Sequence, residues 1–289
     1  MKRDLFGNRM KTYEHQEAGR RFLPLLPVCA RLDGKGFHKL TQGLARPYDT
    51  RFVEIMCQTT AYLVKETQAC IGYTQSDEIS LVWYSDDYKS QTFFDRRIQK
   101  MVSVLASMTT AFFNASLPKH LPEKTGALAL FDCRVWQVPI LTEAANTFLW
   151  REYDATKNSI SMAARHYYPH EVLYKKTSAE MQEMLWQKGV NWNDYPAFFK
   201  RGTFIQKRKV VRAFTAEEID HLPAKHEAHA NPNLLIERSE IQRLAMPPFA
   251  KVKNRVEVIF SAAAPEVECE ADGENVHHPD PTTCSLTCS

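Results

Sequence analysis

The residues predict an α+β fold: a ferredoxin-like antiparallel sheet with helices on one face, followed by a helical second half. Three observations carry this. Apolar runs and amphipathic stripes follow one another as strand, helix, hairpin, helix, strand up to about residue 140, the order of a split βαβ unit. Helical periodicity dominates the stretch after that. The composition, 44% hydrophobic and 25% charged over 289 residues, is that of a globular chain and excludes a fibre or wholesale disorder.

Residues 6–22 are polar and helix-compatible. The apolar run Leu25–Leu32 reads as a buried strand, stopped by Asp33-Gly34-Lys35-Gly36. From Asp49, a natural cap, to about Thr67 the residues Phe52, Val53, Met56 and Leu63 form a helical stripe. Two short apolar runs, Ala69–Tyr73 and Ile79–Tyr84, flank Thr74-Gln75-Ser76-Asp77-Glu78 and predict a hairpin. A second helix is expected over about 92–117, and a strand over about Ala127–Trp136. Helices near 142–152, 154–166 and 178–188 come next, the last ended by Gly189, and then a basic strand, Thr203–Phe214. The expected organisation is a catalytic region over 1–140, a helical and basic region over 141–261, and a disordered acidic tail over 262–289. No internal repeat is visible.

Lys and Arg total 37 against 34 Asp and Glu. Residues 262–289 hold no Lys or Arg, yet contain Glu266, Glu268, Glu270, Asp272, Glu274 and Asp280, so the rest of the chain is more basic than the total suggests. That suits a protein that meets polyanions. No run of 18 apolar residues predicts a membrane helix, and the start lacks the apolar stretch of a secretory signal. Seven cysteines at irregular spacing, four of them in apolar contexts, read as reduced thiols. The expectation is a cytoplasmic protein with no membrane partner.

In the predicted sheet Asp33 ends the first strand and Asp77-Glu78 occupy the tip of the neighbouring hairpin. Carboxylates brought together there can hold two divalent ions roughly 3.5–4 Å apart, the arrangement that clamps a phosphoryl transfer. Mg²⁺ suits such hard oxygen ligands. Gly34, lacking Cβ, allows close backbone approach to metal and phosphate. Lys35, Gly36, Phe37 and His38 would wrap phosphates with their backbone N–H groups. Taken singly, each motif is also an ordinary turn. No Walker A ending is present, and the glycine spacing does not fit a dinucleotide fingerprint.

These residues resemble the tRNA(His) guanylyltransferase family and its guanylyltransferase-like relatives, which extend RNA in the 3′→5′ direction. The resemblance rests on Arg31-Leu-Asp-Gly-Lys-Gly-Phe-His38, Tyr73-Thr-Gln-Ser-Asp-Glu78, Phe94-Asp-Arg-Arg97 and Phe131-Asp-Cys-Arg134 with Pro139. It continues through Trp150-Arg-Glu-Tyr-Asp-Ala-Thr-Lys-Asn158 and Phe199-Lys-Arg-Gly-Thr203, and the opening Gly7-Asn-Arg-Met-Lys-Thr-Tyr-Glu14 is similar too. It implies a polymerase-like palm with a helical C-terminal half and a homotetramer, a dimer of dimers. It also implies an enzyme that activates a tRNA 5′-phosphate with ATP or GTP. The 3′-hydroxyl of an incoming nucleotide, typically GTP, then attacks. By motif position Asp33, the Gly34 carbonyl and Asp77 match metal ligands for two Mg²⁺ ions. Gly34 to His38 with Ser76 match the nucleotide-binding loop, and Glu78 joins the catalytic carboxylates. Arg46 falls where the family often has a Lys for activation; it keeps the charge but donates a proton poorly. Eukaryotic members carry His-Ile-Asn-Asn where this chain has Thr156-Lys157-Asn158-Ser159. That departure resembles the bacterial and archaeal-type relatives, which repair truncated tRNA 5′ ends on a template.

Six of the thirteen residues from Lys200 to Arg212 are basic (Lys200, Arg201, Lys207, Arg208, Lys209, Arg212), either a solvated face or a phosphate-contacting one. Arg96, Arg97, Lys100, Arg134 and Asn158 are further candidates for RNA contact. His221, His226 and His229 lack nearby cysteines and do not predict zinc. Two other readings keep the palm. One is a cyclase making a signalling nucleotide, against which stands the tip Gln75-Ser-Asp-Glu78 in place of Gly-Gly-Asp/Glu-Glu-Phe. The other is a non-catalytic RNA-binding module, against which stand the intact Asp33 and Asp77.

Overall fold

The structure is a computed structural model and describes residues 4–267. The chain begins with α1 (Leu5–Ala18), whose first turn is capped by Asp4 accepting from the Gly7 N–H at 2.9 Å. β1 (Val28–Gly34) leads through the short α2 (Phe37–Leu40) to α3 (Thr50–Thr67), capped by Asp49 as its sequence position predicts. β2 (Ile71–Gln75) and β3 (Glu78–Trp83) form the expected hairpin. Its tip is tighter than the five-residue segment in the sequence suggests: only Ser76 and Asp77 turn, with Ser76 at φ 52, so Glu78 is a strand residue.

α4 (Ile98–His120) and β4 (Phe131–Gln137) complete the palm. α4 has the length and hydropathy of a membrane span, but Met101, Leu105, Phe113 and Leu117 are buried in the core beneath it. α5 (Leu141–Tyr167) is one 27-residue helix, where two were expected at 142–152 and 154–166. No Gly or Pro interrupts that stretch, so nothing in the backbone breaks the hydrogen-bond ladder at Tyr153. After it come α6 (His170–Leu173), α7 (Ser178–Gln187) and α8 (Ala197–Arg201). A Thr177–Glu180 capping box starts α7, and Gly189 lies just past its end at φ 74. β5 (Thr203–Ala213), α9 (Ala216–Asp220), β6 (Leu235–Arg243) and α10 (Arg255–Phe260) complete the order.

The sheet is antiparallel throughout, in the order β4-β1-β3-β2-β5-β6. Its last two strands come from the C-terminal half: β5 matches the basic strand expected over Thr203–Phe214, β6 was not expected, and both extend the palm sheet. Strand alternation divides its side chains between two faces. Val28, Ala30, Leu32, Ile79 and Leu81 point to α3 and α4, the single helical layer expected of the palm. The other face is covered by the C-terminal half, through Ala144, Ala145 and Phe148 of α5 and Val258 and Ile259 of α10. On that second face β1 changes character along its length: Cys29 is buried, Arg31 half-buried, and Asp33 open to a cavity.

Cys29, Cys57, Cys70 and Cys133 are free thiols, and burial pushes those of Cys29 and Cys133 up to about 12. Residues 262–267, expected to belong to a disordered tail, are instead held against the fold. Lys253 N–H donates to Glu266 O at 2.9 Å, Arg208 to Ala263 O at 2.8 Å, and Val267 bridges to Val252. Tail residues 268–289 lie outside the described residues.

Candidate active site

β1 and β3 pair so that Asp33 stands opposite Glu78, and the Gly34 N–H donates to the Asp77 carbonyl at 3.1 Å. This register brings Asp33 and Asp77, 44 positions apart, onto the wall of one polar cavity of about 310 Å³. Asp77 accepts from Ser76 Oγ at 3.1 Å and has no ion-pair partner among the described residues. Burial, with the neighbouring Asp33 charge, pushes its carboxyl above the usual range. The nearest cation to Asp33 is Arg134, at 3.9 Å. Two converging carboxylates, one half-desolvated and without a counter-charge, are a donor set that a hard divalent cation fits.

The loop after Asp33 is shaped by its own core contact. A Cβ on Gly34 would come within 2.4 Å of the Phe37 ring. That ring is buried among Phe52, Phe113 and Phe131, with centroids 6.0, 5.5 and 4.9 Å away. Gly36 turns the chain at φ 68. Not every backbone donor of the loop is available: Gly34 N–H is bound to Asp77, and Lys35 N–H donates to Leu130 O at 2.8 Å. Among the described residues the amides of Gly36, Phe37 and His38 donate to no backbone carbonyl. These three residues line a second cavity of about 440 Å³, also lined by Ser76, Asp77, Arg46, Tyr48, Val53, Met162 and Phe198. The size and mixed lining suit a nucleotide.

Glu78 does not join the carboxylate pair as a free ligand. Arg151 of α5 grips it with both arms of the guanidinium, Nε–Oε1 at 2.6 Å and Nη2–Oε2 at 2.8 Å, and turns its third nitrogen to Asp154 at 2.7 Å. Arg31 adds a looser contact at 3.8 Å. Arg151, Asp154, Asn158, Ser161 and Arg165 lie three and four residues apart, one stripe of α5 along the site. Of this stripe the sequence singles out Asn158 alone, through the family resemblance. The polar i, i+3, i+7 spacing is the signal for the rest, and dividing the helix at Tyr153 hides it.

The basic candidates are spread over several elements, and many are engaged within the protein. Lys209 pairs with Glu237 at 2.8 Å, Arg212 with Glu218 and Glu240, and Lys207 donates to Gln68 at 3.2 Å. Arg201 faces Glu152 at 3.6 Å, and Lys200 donates to the Asn193 carbonyl. Arg96 pairs with Asp95 at 3.4 Å, Arg97 donates to Phe94 O at 3.3 Å, and Lys100 sits over the Phe94 ring at 5.5 Å. Arg134 stands between Asp33 and Asp132, half-exposed. The β5–β6 hairpin is therefore an interleaved set of both charges, where the sequence suggests a basic strand.

The family model for tRNA(His) guanylyltransferase matches residues 7–139. The tRNA(His) guanylyltransferase of Schizosaccharomyces pombe is 31% identical over 208 residues, 67% of this chain and 77% of the relative. The chain belongs to the tRNA(His) guanylyltransferase family. The enzyme of that name from Saccharomyces cerevisiae is 27% identical over 69% of this chain and 91% of its own length. Among solved structures, a bacterial tRNA(His) guanylyltransferase-like protein in complex with ATP superposes with a TM-score of 0.71 at 34% identity, covering 89% of this chain and 99% of that one. The same kind of bacterial protein in complex with GTP gives 0.66 at 33% identity, covering 86% and 95%.

As a member of this family the protein is a nucleotidyltransferase. The family match covers both carboxylate-bearing turns and ends at residue 139, just before α5 begins. Arg151, Asn158 and Arg165 are thus supplied from outside the matched segment, and they reach the carboxylates because α5 lies across the second face of the sheet.

Proposed function

We propose that this protein adds nucleotides to the 5′ end of tRNA in the 3′→5′ direction, in two phosphoryl-transfer steps at the Asp33–Asp77 edge. One observation carries the reading: Asp33 and Asp77 share the polar cavity, and Asp77 also lines the nucleotide-sized one beside it. Asp33, the Gly34 carbonyl and Asp77 would hold two Mg²⁺ ions, whose charge would polarise the attacking oxygen and offset that of the leaving pyrophosphate. The chain's own groups do the rest. The amides of Gly36, Phe37 and His38, with Ser76, orient the triphosphate of ATP or GTP. Arg46 neutralises charge during activation of the RNA 5′-phosphate, and Arg151, through Glu78, fixes the end of β3 next to Asp77. The family resemblance also supports a homotetramer.

The substrate we favour is a tRNA lacking its first 5′ nucleotide, with the added base chosen by pairing to the opposite strand. Thr156 in place of the eukaryotic His supports it, as does the higher identity to the bacterial guanylyltransferase-like protein than to the yeast enzyme structure, 34% against 27%. The test is a rate comparison with Mg²⁺ and labelled GTP on 5′-monophosphorylated tRNAs. Truncated tRNAs of two identities are set against full-length tRNA(His), with the template base varied. Faster, template-directed addition to truncated substrates is expected. Preference for full-length tRNA(His) with untemplated G restores maturation as the function, and no transfer to any tRNA defeats the reading altogether.

A further inference from the structure

α5 carries an exposed tryptophan, Trp150, at 49% exposure. Single exposed apolar side chains are common on protein surfaces. Trp150 differs in how it is held and in where it stands. The Arg151 guanidinium carbon lies 4.6 Å from the centroid of its ring, and that of Arg31 lies 5.7 Å away. Both arginines also engage Glu78 Oε2, at 2.8 and 3.8 Å, so one carboxylate gathers the two cations against the indole. The ring is therefore fixed, although half of its surface is open.

Its place is informative as well. Arg31 precedes Asp33 by two residues on β1, and both belong to the sheet face that α5 crosses. Trp150, against Arg31, thus stands about 7 Å along the strand from the carboxylate edge. Along α5 it is followed at four-residue steps by Asp154, which accepts from Arg151, and by Asn158, which lines the cavity of Asp33 and Asp77. Trp150 itself lines neither that cavity nor the nucleotide-sized one. Arg134, half-exposed, stands opposite Arg31 across β1 and β4, so a third cation borders the ring's surroundings. A fixed π-face among guanidiniums suits a polyanion whose bases are themselves π-faces.

We propose that the open face of Trp150 is a stacking platform for a nucleobase at the RNA end, setting the register of that end against Asp33 and Asp77. Because Arg31 and Arg151 already pin the ring, little side-chain freedom is lost when a base stacks on it. The contact tolerates any base, since each offers a π-face. Two strands can supply it, the one being extended or the one opposite. That the base belongs to the 5′ end of a tRNA rests on the activity proposed above.

The test uses the full chain and a 5′-monophosphorylated tRNA carrying the fluorescent base 2-aminopurine, at its 5′ terminus or at the position opposite. Mg²⁺ is present and nucleoside triphosphate is omitted, so nothing is transferred. Wild type should quench the probe at one position or both, which names the strand. Trp150→Leu keeps an apolar cover over the arginines but offers no π-face. It should abolish that quench and weaken RNA binding by about tenfold, the scale of one lost stacked base, with binding of GTP alone unchanged. Trp150→Phe should bind within about threefold of wild type. Trp186→Leu, at a more exposed tryptophan on α7, should match the wild type. Equal RNA binding and quenching by Trp150→Leu and wild type overturns the platform, since the indole then only shields the ion pair. An equal loss in Trp186→Leu, or no quench at either position in the wild type, overturns it too. Nucleotide addition that survives such a result leaves the proposed activity standing. Conversely, a wild type that quenches through Trp150 yet adds no nucleotide to any tRNA defeats the activity and leaves the platform.

Discussion

Arg151 and Glu78, 73 positions apart in sequence, form a forked ion pair at 2.6 and 2.8 Å immediately beside Asp77. Through it the long helix of the C-terminal half holds the end of β3 and the turn that carries the carboxylate. Because both groups are largely sequestered from solvent, removing one leaves the other as an uncompensated charge.

Arg151→Lys keeps the charge but loses the fork. It should lower kcat by about tenfold to a hundredfold, with KM for GTP little changed, since the pair orients Asp77 and does not touch the nucleotide. Glu78→Gln should cost a similar factor, and the double variant little more than either single one. Additive losses in that cycle would show that the two residues act independently.

Asp33→Ala and Asp77→Ala should each reduce nucleotide addition by about 10³-fold or more, the scale of losing a shared metal ligand. Melting temperature should fall little, because the site edge bears on no packed cluster and removing one of two repelling carboxylates relieves repulsion. Activity retained in both variants with Mg²⁺ would rule out the carboxylate-pair mechanism.

Glu152 gives a pH dependence of stability. It is 3% exposed and accepts from Phe249 N–H at 2.7 Å, with Arg201 at 3.6 Å, and burial pushes its carboxyl from 4.5 up to about 7. Between those values the folded chain holds a proton that the unfolded chain has released. Its contribution is therefore fully present below pH 4.5 and is lost as pH rises through 7, an effect on the order of a few kcal/mol. Thermal melts from pH 5.5 to 8.5 should show the wild type losing stability relative to Glu152→Gln. A difference between the two that is constant with pH would mean the carboxyl is ionised throughout.

Two truncations separate the docked segment 262–267 from residues 268–289. Ending the chain after Val267 should preserve melting temperature and activity, since residues 268–289 offer few apolar side chains to a core. Ending it after Ser261 also removes the bonds from Arg208 to Ala263, Asn254 to Ala264, and between Lys253 and Glu266. That should lower the melting temperature by about 5 °C or more, at roughly 1 kcal/mol per bond. Equal melting of the two truncations would show that residues 262–267 contribute nothing.

The sequence by itself determined the order of the palm elements, the cap at Asp49, the presence of a hairpin around Asp77 and the placing of Asp33 at a strand end. All of these are written in neighbours one to four positions apart, where alternation, helical spacing and turn chemistry act. Only the tertiary structure decided that Glu78 is committed to Arg151, that Lys209 and Arg212 are neutralised across β5 and β6, and that the chain beyond residue 140 adds two strands to the sheet. It likewise decided that Arg46 and Arg165 share a cavity. The physical reason is common to them: whether a charge is paired or open depends on which distant backbone is packed against it. That register is set by burial of two sheet faces at once, and local spacing does not record it.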